Sequence, residues 1–126
     1  MQYAILCYHD QEAIARWTKE EDDACMARLL DVQQGMKAKG KLGPVARLLP
    51  TTTAWSLRKS SGEPLVLDGP FAETKEQFLG FYVVDCKDMD EALDFARELA
   101  IANPGLGSYE IRPVDVFNPT DGASGK

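Results

Sequence analysis

The chain contains one histidine, His9, at the end of an apolar opening run, and Asp10 follows it directly. An imidazole titrates near neutrality, so it can take or give a proton, and an adjacent carboxylate can orient the ring or share that proton. Asp68 is the second carboxylate suited to this partnership. Its position before Gly69 and Pro70 also suits an Asx-type turn with no chemistry at all. Asp68 opens a charged decapeptide, DGPFAETKEQ, residues 68–77, set between two hydrophobic runs. Phe71 stands among those charges, where its ring must either anchor the loop in the core or face a ligand. Glu73 and Lys75 can contact the same ligand, or form a local charge pair that contributes little if exposed. Tyr8 and Tyr82 can each donate a phenolic proton to a bound molecule, and both also suit aromatic core packing. Arg112 can meet an anion or close a cross-strand salt bridge. The expected catalytic pair is therefore His9 with Asp68, and the expected ligand contacts are Tyr8, Phe71, Glu73 and Lys75.

Other chemistries lack their patterns. The lone histidine and the scattered Cys7, Cys25 and Cys86 give no HxxxH, HExxH or CxxC spacing, and no acidic loop follows the EF-hand plan, so no metal is expected. An odd number of cysteines makes no disulfide framework, and none has a strongly basic neighbour to activate it; each is expected as a small buried hydrophobe. GLGS, residues 105–108, follows a helical pattern instead of joining a strand to a helix, so it is no phosphate loop. No cofactor is expected. A net charge of −6 disfavours nucleic acid and anionic membrane surfaces as partners. With no run of 18 apolar residues and no secretory leader pattern, the expected location is the cytoplasm. The length of 126 residues and 44% hydrophobic content suit one core. The expected domain is residues 1–117, with residues 118–126 as a flexible tail that has nothing to bury.

The elements that must position these residues follow from periodicity. QYAILCY, residues 2–8, is a strand with apolar side chains on both faces, hence a central one. From Thr18 the period changes: Cys25, Leu29, Val32 and Met36 recur at helical spacing. Thr18 and Glu21 match a capping box, acidic residues fill the first turn, and Lys37 and Lys39 lie near the end before Gly40. LGPVARLLP is extended between its prolines, and TTTAWSLRKSSGEPLVL is a hairpin turning at SSGE. FLGFYVVDC is a second central strand, with Leu79, Phe81 and Val83 pointing one way and Phe78, Tyr82 and Val84 the other. Asp88 and Glu91 suggest a second capping box for a helix with Ala92, Ala96 and Leu99 on one face, ending at Asn103-Pro104-Gly105. YEIRPVDVF is a last strand whose Pro113 marks an edge or an end.

This order defines an α+β chain: a ferredoxin-like split βαβ fold with an inserted β-hairpin. Its two helices cover one sheet face, yet the central strands are apolar on both. A homodimer pairing through the bare sheet faces is therefore expected.

The strings DGPFAETKEQ, GFYVVD, DMDEALDFA and YEIRPV together resemble the YCII-related proteins of the DGPF type, and the resemblance runs from the first strand to Pro113 and Val114. It implies a dimeric α/β barrel on the ferredoxin-like plan and a small, cytoplasmic, bacterial protein. Some proteins of this kind pair a histidine with an aspartate as acid and base, the histidine lying near the start of the first long helix. Here that segment, TKEEDDACMARLL, holds no histidine, so the pair does not carry over. Many DGPF-type proteins also accompany alternative sigma factors. Three functions are compatible with these features: binding of a small organic molecule beside the DGPFAETKE loop, cofactor-independent lyase or isomerase chemistry by a His-Asp pair, and partnership with a sigma factor.

Overall fold

β1 (Gln2–Asp10) alternates along its whole length, with Tyr3, Ile5, Cys7 and His9 buried and Ala4, Leu6 and Tyr8 half-buried on the opposite side. In the computed structural model, which describes residues 1–72 and 74–119, this strand is the hub of an antiparallel sheet. It lies between β5 (Glu76–Asp85) and β6 (Gly107–Pro113), and β2 (Leu42–Arg47) pairs with the far side of β5, giving the order β2-β5-β1-β6. Helix α2 (Lys19–Ala38) joins β1 to β2, and α3 (Met89–Ala102) joins β5 to β6. Two βαβ units thus interleave, each placing a strand between the strands of the other. A separate hairpin of β3 (Trp55–Arg58) and β4 (Leu65–Asp68) is inserted between β2 and β5.

Local chemistry explains the element ends. Thr18 Oγ1 accepts from the Glu21 amide at 3.0 Å while Glu21 Oε1 accepts from the Thr18 amide at 3.0 Å, so the first capping box is complete. Gly40, at φ 71, carries the left-handed turn that stops α2. At α3 only half of the expected box forms. Asp88 caps the Glu91 amide at 3.0 Å, but Glu91 Oε1 accepts from the Lys87 amide at 2.9 Å, and Oε2 meets Lys41 Nζ at 2.5 Å. The Lys41 ammonium at the head of β2 draws that carboxylate away from the cap and holds its pKa below the usual carboxylate range.

Three local features differ from the sequence reading. Asp10 does not simply end a strand: its Oδ1 accepts from the Ala13 amide at 3.2 Å and caps a five-residue helix, α1 (Gln11–Ala15), too short to show a periodic stripe. Thr51–Thr53 form a 3-10 turn after Pro50, so the hairpin strand begins at Trp55. The β1–β5 register shifts between Cys7 and Tyr8, pairing Cys7 with Gly80 and Tyr8 with Phe78 and leaving Leu79 as an extra residue. That bulge reverses the alternation beyond it. Phe78 therefore shares a face with Phe81 and packs on Tyr8 with ring centroids 5.5 Å apart, instead of facing the Tyr82 side.

Both long helices pack on the face of Tyr3, Ile5 and Cys7. Ile5, Val84, Phe95 and Leu99 are fully buried there, and Phe95 meets the Tyr82 ring edge-on at 5.7 Å. The free thiols of Cys7, Cys25 and Cys86 lie in this interior, and burial pushes Cys7 up to about 12. The other face presents Ala4, Leu6, Tyr8, Phe78, Phe81 and Val83 with no helix against it. Residues 120–126, most of the expected tail, and Glu73 lie outside the described residues. No helix among the described residues is long and apolar enough to cross a membrane.

Phe95 fills the centre of the helix layer, so Phe95→Ala should lower the free energy of urea unfolding by about 3–5 kcal/mol. Ile101→Ala, on the exposed side of the same helix, should change it by less than about 0.5 kcal/mol.

Candidate functional site

Helix α2 rests on α3 and β2, and the space it leaves over β1 and β5 is a cavity of about 670 Å³. Its floor is kept low by small residues, the paired Cys7 and Gly80, and Cys25 of α2 is small as well. Gly80 has no room for a side chain, since a Cβ there would stand 2.6 Å from the Ala46 carbonyl oxygen. Ile14 and Ala15 of α1, Trp17 and residues 48–50 form part of the wall. At the mouth Arg47 pairs with Asp22 at 3.1 Å.

Few polar groups break this apolar lining. His9 is 7% exposed at the inner end of β1. Asn103, the C-cap of α3, accepts from the Gly105 amide through Oδ1 at 3.1 Å, which turns its NH2 toward His9 Nε2 at 3.3 Å. Because that amide can only donate, Nε2 must accept, and this network assigns the proton of the neutral ring to Nδ1. Nδ1 is buried with no hydrogen-bond partner among the described residues. The ring is clamped on its other sides: Tyr109 lies edge-on at 5.5 Å, and a Cβ at Gly107 would come within 2.3 Å of Nδ1. Burial lowers the imidazole pKa, opposed by the nearby Leu106 carbonyl and the Glu76 carboxylate. Deeper in the cavity, Gln33 Nε2 donates to the Tyr82 hydroxyl at 3.4 Å.

The residues singled out from sequence are dispersed. His9 lines the cavity, while Asp68 lies on the exposed strand β4 and is not among its lining residues. No hydrogen bond joins His9 to Asp68 or to Asp10, whose carboxylate is used by the α1 cap. Tyr8 lies on the helix-free face, its hydroxyl 3.5 Å from Glu110 Oε1. Phe71 does not anchor the loop in the core: it is 78% exposed, with the Arg58 guanidinium 5.5 Å from its ring centroid. The turn before it, with Gly69 at φ 123 and its amide bonded to the Ala54 carbonyl at 2.8 Å, belongs to the projecting hairpin and carries Phe71 outward. Lys75 lines a second, more polar cleft of about 530 Å³ with Asp10, Thr51, Pro70, Thr74 and Gln77. The two cavities share Gln11, Glu12 and Thr52. Glu73 cannot be assigned to either cavity, because it lies outside the described residues.

Asn103, Gln33, Trp17 and Tyr109 were missed as site residues. Asn103 was visible only as part of a helix stop, although an asparagine in that position has a spare amide.

Together these features define a small α+β protein with an apolar chamber between its helices and its sheet. The model of the YCII-related domain matches residues 1–118, and the chain belongs to that family. An uncharacterised protein of Rhizobium meliloti (strain 1021) is 59% identical over 119 residues, covering 94% of this chain and 96% of the relative.

The lowered His9 pKa sets a pH dependence. The unfolded chain binds a proton near the ordinary value of 6.5 and the folded chain only below it, so stability is full above that value and falls as pH drops toward the folded pKa. Urea midpoints compared at about pH 7.5 and about pH 5.5 should show a decline in the wild type that is reduced in His9→Gln. Gly107→Ala, which forces a methyl against the ring and the Tyr8 carbonyl, should cost about 1–3 kcal/mol.

Proposed function

We propose that this YCII-related protein binds a small, largely apolar organic molecule in the chamber between α2 and the sheet. The observation that carries this reading is the chamber itself: about 670 Å³ of space with mostly apolar walls and a few fixed polar groups. A volume of that order and such a lining are those of small-molecule sites. The adjoining cleft, with Lys75 and Pro70 of the DGPFAETKE loop, offers a polar approach through the shared Gln11, Glu12 and Thr52.

The same reading includes a homodimer, closed into a dimeric α/β barrel through the helix-free faces. What supports it is the apolar surface of Leu6, Tyr8, Phe78 and Phe81, which a monomer would leave in water. The hairpin adds to the case. Trp55 and Leu57 are 68% and 65% exposed, and Val66 is 60% exposed, and an isolated two-stranded ribbon is marginal in water.

A panel of neutral one- and two-ring organic compounds, screened by thermal unfolding, tests the ligand reading. A ligand at about 100 times its Kd should stabilise the fold by about 2.7 kcal/mol, visible as a shift of several degrees. A panel that leaves both the melting temperature and the Trp17 emission unchanged would count against the reading. For the assembly, sedimentation equilibrium at micromolar concentration should return the mass of two chains, and a single-chain mass would rule the dimer out.

A further inference from the structure

The polar groups inside the chamber are not balanced between donors and acceptors. Strands β5 and β6 flank β1, and their registers put Tyr82 and Tyr109 on the same inner face, one on each side of that strand. The Tyr82 hydroxyl already accepts from Gln33 Nε2, so its own proton is left to donate. The Tyr109 hydroxyl has no hydrogen bond among the described residues, yet the only buried, unpartnered side-chain polar atom among them is His9 Nδ1. The Tyr109 oxygen is therefore accessible, and Tyr109 is one of the residues that line the chamber. Burial raises both phenol pKa values, so both stay protonated at physiological pH. The chamber's imidazole and carboxylate acceptors are engaged or lie at the rim, and Gln33 Oε1 is the neutral acceptor left beside Tyr82. The His9 lone pair is taken by Asn103, the Asp22 carboxylate is paired with Arg47 at the mouth, and Glu12 sits exposed at the rim.

We propose that Tyr82 and Tyr109 form a donor site on the chamber floor for a ligand that carries a carbonyl or similar acceptor oxygen on an apolar ring. This rests on the ligand-binding reading above. It narrows the ligand class: an uncharged ring ketone or a related oxygen compound is favoured. An amine cation is disfavoured, because no free carboxylate faces the interior to compensate its charge.

The test uses three compounds of one skeleton: 1-indanone, indane and 1-aminoindane. They are titrated into a Trp55→Phe background, in which Trp17, on the chamber wall, is the emitting indole. The expected result is 1-indanone binding up to about tenfold more tightly than indane, the gain of one hydrogen bond, with 1-aminoindane weakest. Tyr82→Phe and Tyr109→Phe should each shrink the indanone advantage while leaving indane affinity unchanged. Equal binding of 1-indanone and indane, unaltered by either substitution, would overturn the donor site and leave the chamber reading intact. Tightest binding of 1-aminoindane would overturn it as well. If none of the three binds, the chamber reading fails and the donor site fails with it. The wild-type comparison of 1-indanone with indane decides the matter even if a tyrosine variant does not fold.

Discussion

Two helices cannot cover both faces of a four-stranded sheet, and the rest of this molecule follows from that shortage. The face they cover receives Tyr3, Ile5, Val84, Phe95 and Leu99 and becomes the core. The face they leave bare keeps Leu6, Tyr8, Phe78 and Phe81. Even the covered face is filled unevenly. Phe95 and Leu99 of α3 pack tightly, whereas α2 contributes Cys25, and the sheet Cys7 and Gly80, residues too small to close the gap. A chamber is what remains when a helix is held at its edges and the residues beneath it are small.

The chemistry of that chamber comes from main-chain geometry as much as from side chains. The Gly105 amide sets the Asn103 carboxamide, the carboxamide sets the His9 tautomer, and Gly107, by lacking a side chain, leaves room for the imidazole. A ring so constrained is a poor proton shuttle in the resting protein, since its basic nitrogen is occupied and its burial opposes a charge. Burial acts on the phenols of Tyr82 and Tyr109 in the opposite sense, since it raises their pKa values and so keeps their protons in place.

Much of this architecture could be read from residue patterns, and the reasons are specific. The capping residues Thr18 and Glu21, the stop at Gly40 and the alternation in QYAILCY report local forces that the tertiary structure does not overrule. Periodicity failed where a single residue interrupts it: the bulge at Leu79 cannot be seen in a run of apolar letters, and it moved Phe78 to the other face. The short helix Gln11–Ala15 escaped because five residues carry no stripe. The site was less legible than the fold. His9 was recognised by its type alone, but its partner Asn103 is 94 positions away, and no local pattern announces a pairing made by the meeting of a strand end and a helix end. Asp68 and Phe71 drew attention through an unusual loop; Asp68 ends the exposed strand β4, and Phe71 is exposed in the turn that follows it.

The Lys41–Glu91 bridge ties the head of β2 to the first turn of α3, and so fastens one interleaved unit to the other at the end of the sheet away from His9. At the opposite end, α2 is tied to β2 by the exposed Arg47–Asp22 pair, whose side chains keep 55% and 36% of their surface in water. The edge strand β2, which has a ladder partner on one side only, is thus held at both ends by charge, to α3 at its head and to α2 at its tail.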